Sequence, residues 1–408
     1  MHLTGISLQH FRNYTQRTFL FPHQTTILVG NNATGKTSVM EAIYLLSTGE
    51  SFRAEEVAEM IQLENEIGRV KGKIVIPAEA GIQSATNDPT ITELEITLTR
   101  GEVQGKRTSS RLYAVNQVRR LKKNFIGQFF AVIFRPEDMR LIEGSPSRRR
   151  QYLDNILSVT SRDYAASLKT YDDSLKRRNR LLWQIQEGLV QRSILTYWNS
   201  LLIKHGQILQ EQRRQLCAFL ATVEFPHSFV IEYLPSVMSA ERMTEYADKE
   251  IAAGHTLIGP HKDDFVVHLG TVRHSSENRH PESSVILEEA AKRACIEDPG
   301  LRHSALDPRL RGDDSTKENK LPVSLYGSRG QQRLAVLWLK ICELAYLQQT
   351  THSQPVLLLD DILSELDLAH RHDVLSLLNQ GQAIITTTEN KMVDEIKAVA
   401  TDYEVINL

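Results

Sequence analysis

The chain has 408 residues, 41% hydrophobic and 24% charged, which is the composition of a globular protein with a substantial core and room for one large or two to three ordinary domains. No apolar run is long enough to span a bilayer, and Met1-His2-Leu3-Thr4-Gly5 lacks the basic-then-apolar order of a leader, so no membrane association is expected and a cytoplasmic location is. The net charge is only −2, yet residues 100–220 hold 23 Lys and Arg against 10 Asp and Glu, a local excess of +13.

In chain order, residues 3–8 read as a strand, followed by Phe11-Arg12-Asn13-Tyr14. A second strand, 26–29, runs into Gly30-Asn31-Asn32-Ala33-Thr34-Gly35-Lys36-Thr37, which fits the phosphate-loop pattern Gly, four residues, Gly-Lys-Thr. Residues 35–46 then read as a helix with Val39, Ala42, Ile43 and Leu46 on one face. Strand, glycine loop and helix in that order are the context the motif requires. Further strands are expected near 73–76, 92–98 and 131–134.

Three basic clusters follow: Arg119-Arg120-Leu121-Lys122-Lys123, Arg148-Arg149-Arg150 and Lys176-Arg177-Arg178-Asn179-Arg180. Any one of them reads equally well as a solvated face. Three within one segment favour a polyanion partner, because phosphate neutralisation needs several cations on one surface. DNA contact is expected at Arg148, Arg149, Arg150, Lys176, Arg177, Arg178 and Arg180.

The middle is helical. Tyr164, Leu168, Tyr171, Leu175, Leu182, Ile185 and Leu189 keep a heptad seam with Arg178 at the one missing position. Gly188 marks a turn. Leu195, Trp198, Leu202, Leu209, Leu216 and Phe219 form a second seam, so an antiparallel helical hairpin of about four heptads is expected. It is too short for the arms of a chromosome-organising ATPase.

From Thr256 onward, 265–269 and 323–325 look like strands, and 329–347 reads as a helix. Ser328-Arg329-Gly330-Gln331-Gln332-Arg333 opens that helix. A Ser cap followed by Gly turns free N–H groups and a positive dipole end toward an anion, although a plain N-cap would look the same. Val356-Leu357-Leu358-Leu359-Asp360-Asp361 reads as a buried strand ending in two carboxylates, with a helix at 368–378 and a strand at 383–385 beyond it. Lys36 and Asp360 are 324 positions apart, more than an ordinary nucleotide-binding domain needs. The expected fold is therefore α/β: an ATPase core split by a helical insertion, with residues 1–143 and 256–408 as its halves and 144–255 as the arm.

Two stretches, 77–90 and about 271–320, carry no hydrophobic period and resemble translated genomic repeats found in unrelated bacterial proteins. Surface loops without catalytic role are expected there, since insertions in loops cost little entropy, and deleting 275–318 is expected to leave ATP binding intact. Cys217, Cys295 and Cys342 have no metal-ligand spacing and are expected to be reduced.

The loop chemistry assigns backbone N–H groups of Gly30 to Thr37 to phosphate oxygens, Lys36 to the β/γ-phosphates and the Thr37 hydroxyl to Mg²⁺. Asp360 is placed to hold Mg²⁺ and Asp361 to orient or deprotonate a water. Ser364-Glu365-Leu366-Asp367 after Asp361 resembles the D-loop of the ABC ATPase superfamily. The match narrows to the RecF family of bacterial DNA-repair ATPases, related to the SMC proteins. It is carried by Phe11-Arg12-Asn13-Tyr14, the phosphate loop, Phe134-Arg135-Pro136-Glu137-Asp138, Arg149-Arg150-Gln151-Tyr152-Leu153-Asp154, Gly259-Pro260-His261-Lys262-Asp263-Asp264, the Ser328 element and the Asp360-Asp361 strand.

That resemblance implies an ABC-type head that dimerises around two ATP molecules. Ser328, with Gly330 and Gln331, would reach the γ-phosphate held by Lys36 of a second copy. It implies slow, DNA-dependent ATP hydrolysis, binding to double-stranded DNA near single-strand gaps, and work with RecR and RecO in loading RecA. Lys262 stands where the family usually has Arg, which weakens any bidentate contact there. Thr386-Thr387-Thr388 occupy the switch-histidine position, so no catalytic His is implied, and His261 reads either as an anion sensor or as structural. The rival readings are another SMC-like ATPase, such as a nuclease-associated one, and a DNA-binding scaffold with a decayed ATPase.

Overall fold

One buried helix joins two sheets. The structure, a computed structural model, describes residues 1–76, 90–225, 227–270, 321–366 and 368–408. The N-terminal part runs β1 (His2–Phe11), β2 (Tyr14–Leu20), β3 (Thr25–Val29), α1 (Lys36–Thr48), β4 (Ile67–Ile76), β5 (Thr90–Thr99), a small hairpin of β6 (Glu102–Val103) and β7 (Lys106–Arg107), β8 (Arg111–Val115), β9 (Val118–Arg120), α2 (Lys122–Phe125) and β10 (Ala131–Phe134). The middle runs α3 (Arg140–Glu143), α4 (Pro146–Thr160), α5 (Arg162–Gln186), α6 (Leu195–Leu220), β11 (Phe229–Leu234), α7 (Ala240–Ala253) and β12 (Asp264–Leu269). The C-terminal part runs β13 (Leu321–Pro322), α8 (Val323–Tyr326), α9 (Arg329–Thr351), β14 (Val356–Asp360), α10 (Leu368–Leu375), β15 (Ala383–Thr387), α11 (Asn390–Val399) and β16 (Tyr403–Asn407).

Strands β10-β14-β15-β3-β16 form a parallel sheet in that order, so the two ends of the chain close one layer. Its strands are apolar on both faces, as a covered parallel sheet requires. Leu28, Ile133, Leu358 and Ile384 face α1, with Val39, Met40 and Ile43. Ile27, Val132, Leu359 and Ile385 face the other way, onto Leu334 and Leu337 of α9 and Met392 and Ile396 of α11. On its far side α1 meets the antiparallel sheet β2-β1-β4-β5-β8-β9 through Leu3, Leu8, Val70, Leu94 and Ile96. Enclosed between two sheets, α1 is buried almost all round, its polar residues Ser38, Glu41 and Ser47 included, which explains why four apolar positions on one face understated its burial.

The helical hairpin is α5 and α6. Tyr164, Tyr171, Leu182, Leu202, Leu209 and Leu216 are buried along its seam. Leu189 is not: α5 ends at Gln186 and Gly188 reverses the chain at φ +71°, leaving Leu189 65% exposed. The expected strand at 323–325 is instead the short helix α8. Pro322 has no N–H to extend the β13 ladder, and Gly327 N–H closes a turn on the Val323 carbonyl at 3.0 Å. The boundary expected between 255 and 256 is crossed by a sheet, because β11 pairs antiparallel with β12 over six residues. The stretches 77–89 and 271–320 lie outside the described residues; Thr90 opens β5.

A buried polar hub locks the arm to the core. Arg213 donates to Asp154 at 2.7 Å, to Asp263 at 3.0 Å and to the Pro260 carbonyl at 2.8 Å. Asp263, fully buried, also accepts from Gln210 Nε2 at 2.9 Å and from Ser236 N–H at 2.7 Å. A buried charge is tolerable only when satisfied in this way.

Candidate functional site

The turn after β3 is fixed by geometry that only one residue type fits. Gly35 has φ +109°, and a Cβ there would lie 2.4 Å from Tyr14 Oη and 2.7 Å from Asn13 Nδ2. Asn13 Nδ2 donates to the Thr34 carbonyl at 3.3 Å, so the Phe11-Arg12-Asn13-Tyr14 element braces the loop from outside. The N–H groups of Gly35, Lys36 and Thr37 find no backbone acceptor among the described residues, as expected at the first turn of α1, where the positive end of the dipole emerges. Lys36 Nζ sits inside the loop on the carbonyls of Gly30 at 2.6 Å and Asn31 at 2.9 Å. This donor set fits a phosphate chain.

The end of β14 meets this loop. Thr37 Oγ1 donates to Asp360 Oδ1 at 3.2 Å, across 323 residues of sequence. Thr386 at the end of β15 donates to the same oxygen at 2.8 Å and accepts from Asp361 N–H at 3.0 Å. Burial raises the Asp360 pKa, the two hydroxyls lower it, and Glu137 and Asp361 raise it further. A hydroxyl and a carboxylate oxygen aimed at one point beside the phosphate loop fit a hard divalent cation such as Mg²⁺. Asp361 departs from the strand at φ +53°.

Gly35, Lys36, Thr37, Asp360 and Asp361 line a cavity of about 960 Å³, together with Asn32, Ala33, Arg12, Asn13, Phe52, Arg53, Glu59, Gln62, Leu63, Arg135 and Glu137; Gly30, Asn31, Thr34 and Thr386 stand behind this lining. The wall is rigid where it matters. Arg12 makes a two-pronged contact with buried Glu41 at 2.8 and 2.7 Å, and its third nitrogen holds the Glu59 carbonyl at 2.7 Å. Arg135 stacks 4.5 Å over the Phe52 ring and donates to Asp138 at 2.9 Å. Phe52, Arg53, Glu59, Gln62 and Leu63 carry no signal in the sequence, because they lie in a segment whose one regular element is the short 3-10 turn Val57–Met60. Arg12 and Arg135 are visible in the sequence only inside motifs, whereas the resemblance puts Glu137 or Asp138 in the family's Q-loop region.

Ser328, Gly330 and Gln331 are not brought to this cavity within one chain. Ser328 caps α9: its Oγ accepts from Gln331 N–H at 3.3 Å while the Gln331 side chain accepts from Ser328 N–H at 2.8 Å. Ser328 and Gln331 are exposed. Among the basic residues, Arg148, Lys176, Arg177 and Arg180 are exposed. The assignment of Arg178 to DNA is corrected: it is 1% exposed, bound to Glu250 at 2.7 Å, Thr256 at 2.7 Å and Asn199 at 2.8 Å. Arg149 grips Asp264 through two nitrogens at 2.6 and 2.9 Å, and Arg150 donates to the Asp263 carbonyl at 2.8 Å, so the two fasten α4 to the start of β12 and the residue before it. His261 is structural: its ring bonds Tyr171 at 2.8 Å and the Thr256 carbonyl at 3.2 Å, and burial lowers its pKa to about 4.

Residues 2–405 match the family model described as the RecF/RecN/SMC N terminal domain. A relative from Thermomicrobium roseum, named DNA replication and repair protein RecF, is 32% identical over 97% of this chain and 95% of its own length. The chain belongs to the RecF family. A second RecF, from Oceanobacillus iheyensis, is 28% identical over 95% of this chain and 94% of its own. A solved structure described as the recombination mediator protein RecF-ATPrS in the RecFOR pathway superposes with a TM-score of 0.76 at 25% identity, covering 100% of this chain and 96% of that one. The corresponding RecF-ATP structure gives 0.74 at 26% identity, over 95% and 92%. The α/β fold of an ABC-type ATPase head with a helical insertion is thus the RecF fold. No helix among the described residues is long and apolar enough to cross a membrane.

Proposed function

We propose that this chain is an ATP-dependent DNA clamp of replication and recombinational repair that dimerises around ATP and releases on slow, DNA-stimulated hydrolysis. One observation carries this reading: the phosphate loop, Thr37 and Asp360 converge on one cavity, while the Ser328 cap stands exposed and apart from it. A site with its signature element elsewhere is half a site, and a second copy supplies the other half. That the family's solved structures are described with ATP and ATPrS, and in the RecFOR pathway, agrees with it.

ATP with Mg²⁺ supplies the phosphoanhydride bond whose cleavage releases the closed state. In the chain itself, Lys36 and the α1 N-terminus balance phosphate charge. Thr37 and Asp360 would hold Mg²⁺, which would neutralise phosphate charge, and Thr386 holds Asp360 in place. Asp361 orients the attacking water, as its position beside Asp360 at the cavity wall allows. The partner protomer's Ser328 cap presents N–H groups to the γ-phosphate. Duplex DNA near single-strand gaps, RecR, and RecO and RecA downstream are the proposed partners, in the cytoplasm. Lys36→Arg tests the scheme: self-association on ATP, followed by sedimentation, should be lost while weak, salt-sensitive DNA binding persists. Self-association equal to wild type contradicts the sandwich.

A further inference from the structure

The first basic cluster, Arg119 to Lys123, has no part in the site above, and the structure puts it on edge strand β9 and the start of α2 that follows. Among the described residues strand β9 pairs with β8 alone, through a two-residue turn in which Asn116 and Gln117 both have positive φ, at +49° and +65°. Residues 116–124 are all exposed. Arg119, Arg120 and Lys123 form no ion pair with a described residue. Lys122 does: it and Arg111 (2.8 Å) both hold Glu50. Arg119 and Arg120 on β9 and Lys122 and Lys123 at the start of α2 put four exposed cations within five positions, a density that fits closely spaced phosphates. A peptide adding to this edge would gain little, because β9 is three residues long.

Glu50 connects this edge to the nucleotide cavity. α1 begins at Lys36 and ends against Gly49, where a Cβ would lie 3.0 Å from Lys122 Cε. Beyond Glu50, Ser51 Oγ donates to Glu41, the carboxylate that fixes Arg12. Phe52 and Arg53 then form cavity wall. An exposed ion pair contributes little net stability, so a phosphate can take Lys122 from Glu50 at small cost.

We propose that the edge 118–123 docks the phosphates of duplex DNA, and that displacement of Glu50 from Lys122 and Arg111 relays this docking to the cavity wall. The inference rests on the DNA-binding reading above. It is tested by fluorescence anisotropy of a labelled blunt duplex across a salt series. Arg119→Ala/Arg120→Ala should weaken binding about tenfold at low salt and reduce the log-log salt slope by about 2, as loss of two phosphate contacts requires. Its ATP affinity and unfolding midpoint should match wild type. Glu50→Gln should bind duplex more tightly and hydrolyse ATP without DNA at a rate approaching the DNA-stimulated one. An unchanged slope in the double variant overturns the docking surface while leaving DNA binding itself intact. Unchanged duplex affinity with lost polyglutamate binding would assign the edge to an acidic protein segment and overturn it too. Hydrolysis by Glu50→Gln that stays as DNA-dependent as wild type breaks the relay. A wild-type chain that binds no duplex at low salt ends the DNA reading and this inference together.

Discussion

Gly35 and Arg178 mark the two extremes of what single residues disclose. At Gly35, the backbone sits at φ +109° against the Tyr14 hydroxyl, so Gly35→Ala meets both strain and a clash. We expect a stability loss on the order of 1–3 kcal/mol by urea unfolding, and loss of ATP binding by titration. The Gly-Lys-Thr spacing announces that residue in advance. Arg178 was misread because its partner Glu250 is 72 residues away, and a linear count of cations carries no information about a buried acid. Glu250 is 0% exposed, so Arg178→Ala strands a buried carboxylate and should cost roughly 3–5 kcal/mol, with the salt slope of DNA binding unchanged. His261 gives a pH signature. Its folded pKa, about 4, lies below the unfolded value, so the unfolded chain binds the extra proton. Stability should therefore fall as pH drops from about 6.5 toward 4, by up to about 3 kcal/mol, and His261→Gln should flatten that limb of a urea-midpoint series.

Elements were legible in proportion to how strictly they are buried. The parallel strands and the α5–α6 seam face apolar surroundings at a fixed period, and both stood out. Strand β2 did not: residues Thr15 to Thr18 are all exposed, so no alternation survives. Strand β9 is a fully exposed edge of three residues. Residues 323–325, Val-Ser-Leu, alternate apolar and polar and so suggest a strand, yet Pro322 ends the ladder and local closure on Val323 makes a helical turn. At the start of α9, the Ser328–Gln331 box holds the element together as well as exposing its N-terminus. Ser328→Ala should cost about 1 kcal/mol of thermal stability, and Ser328→Thr much less. If the cap also reaches a second protomer, the Ala variant should lose ATP-dependent association by far more than that small loss of stability explains.

At the scale of the molecule, 324 positions separate Lys36 from Asp360, and the parallel sheet removes the separation by placing β3 between β15 and β16. The sequence implied that closure through motif order. It did not disclose that β11 and β12 tie the arm into the C-terminal half, because pairing partners 30 or more residues apart leave no local period. Only the family resemblance, not any local pattern, separated the nucleotide cavity from the exposed Ser328 cap, the arrangement on which the proposed dimerisation rests. The most direct test is the solution mass of Asp361→Asn by light scattering, with and without ATP and Mg²⁺, since loss of that carboxylate should slow hydrolysis and hold the closed state. A mass that doubles only with ATP is the predicted result. A mass that stays monomeric while ATP is bound would contradict the clamp.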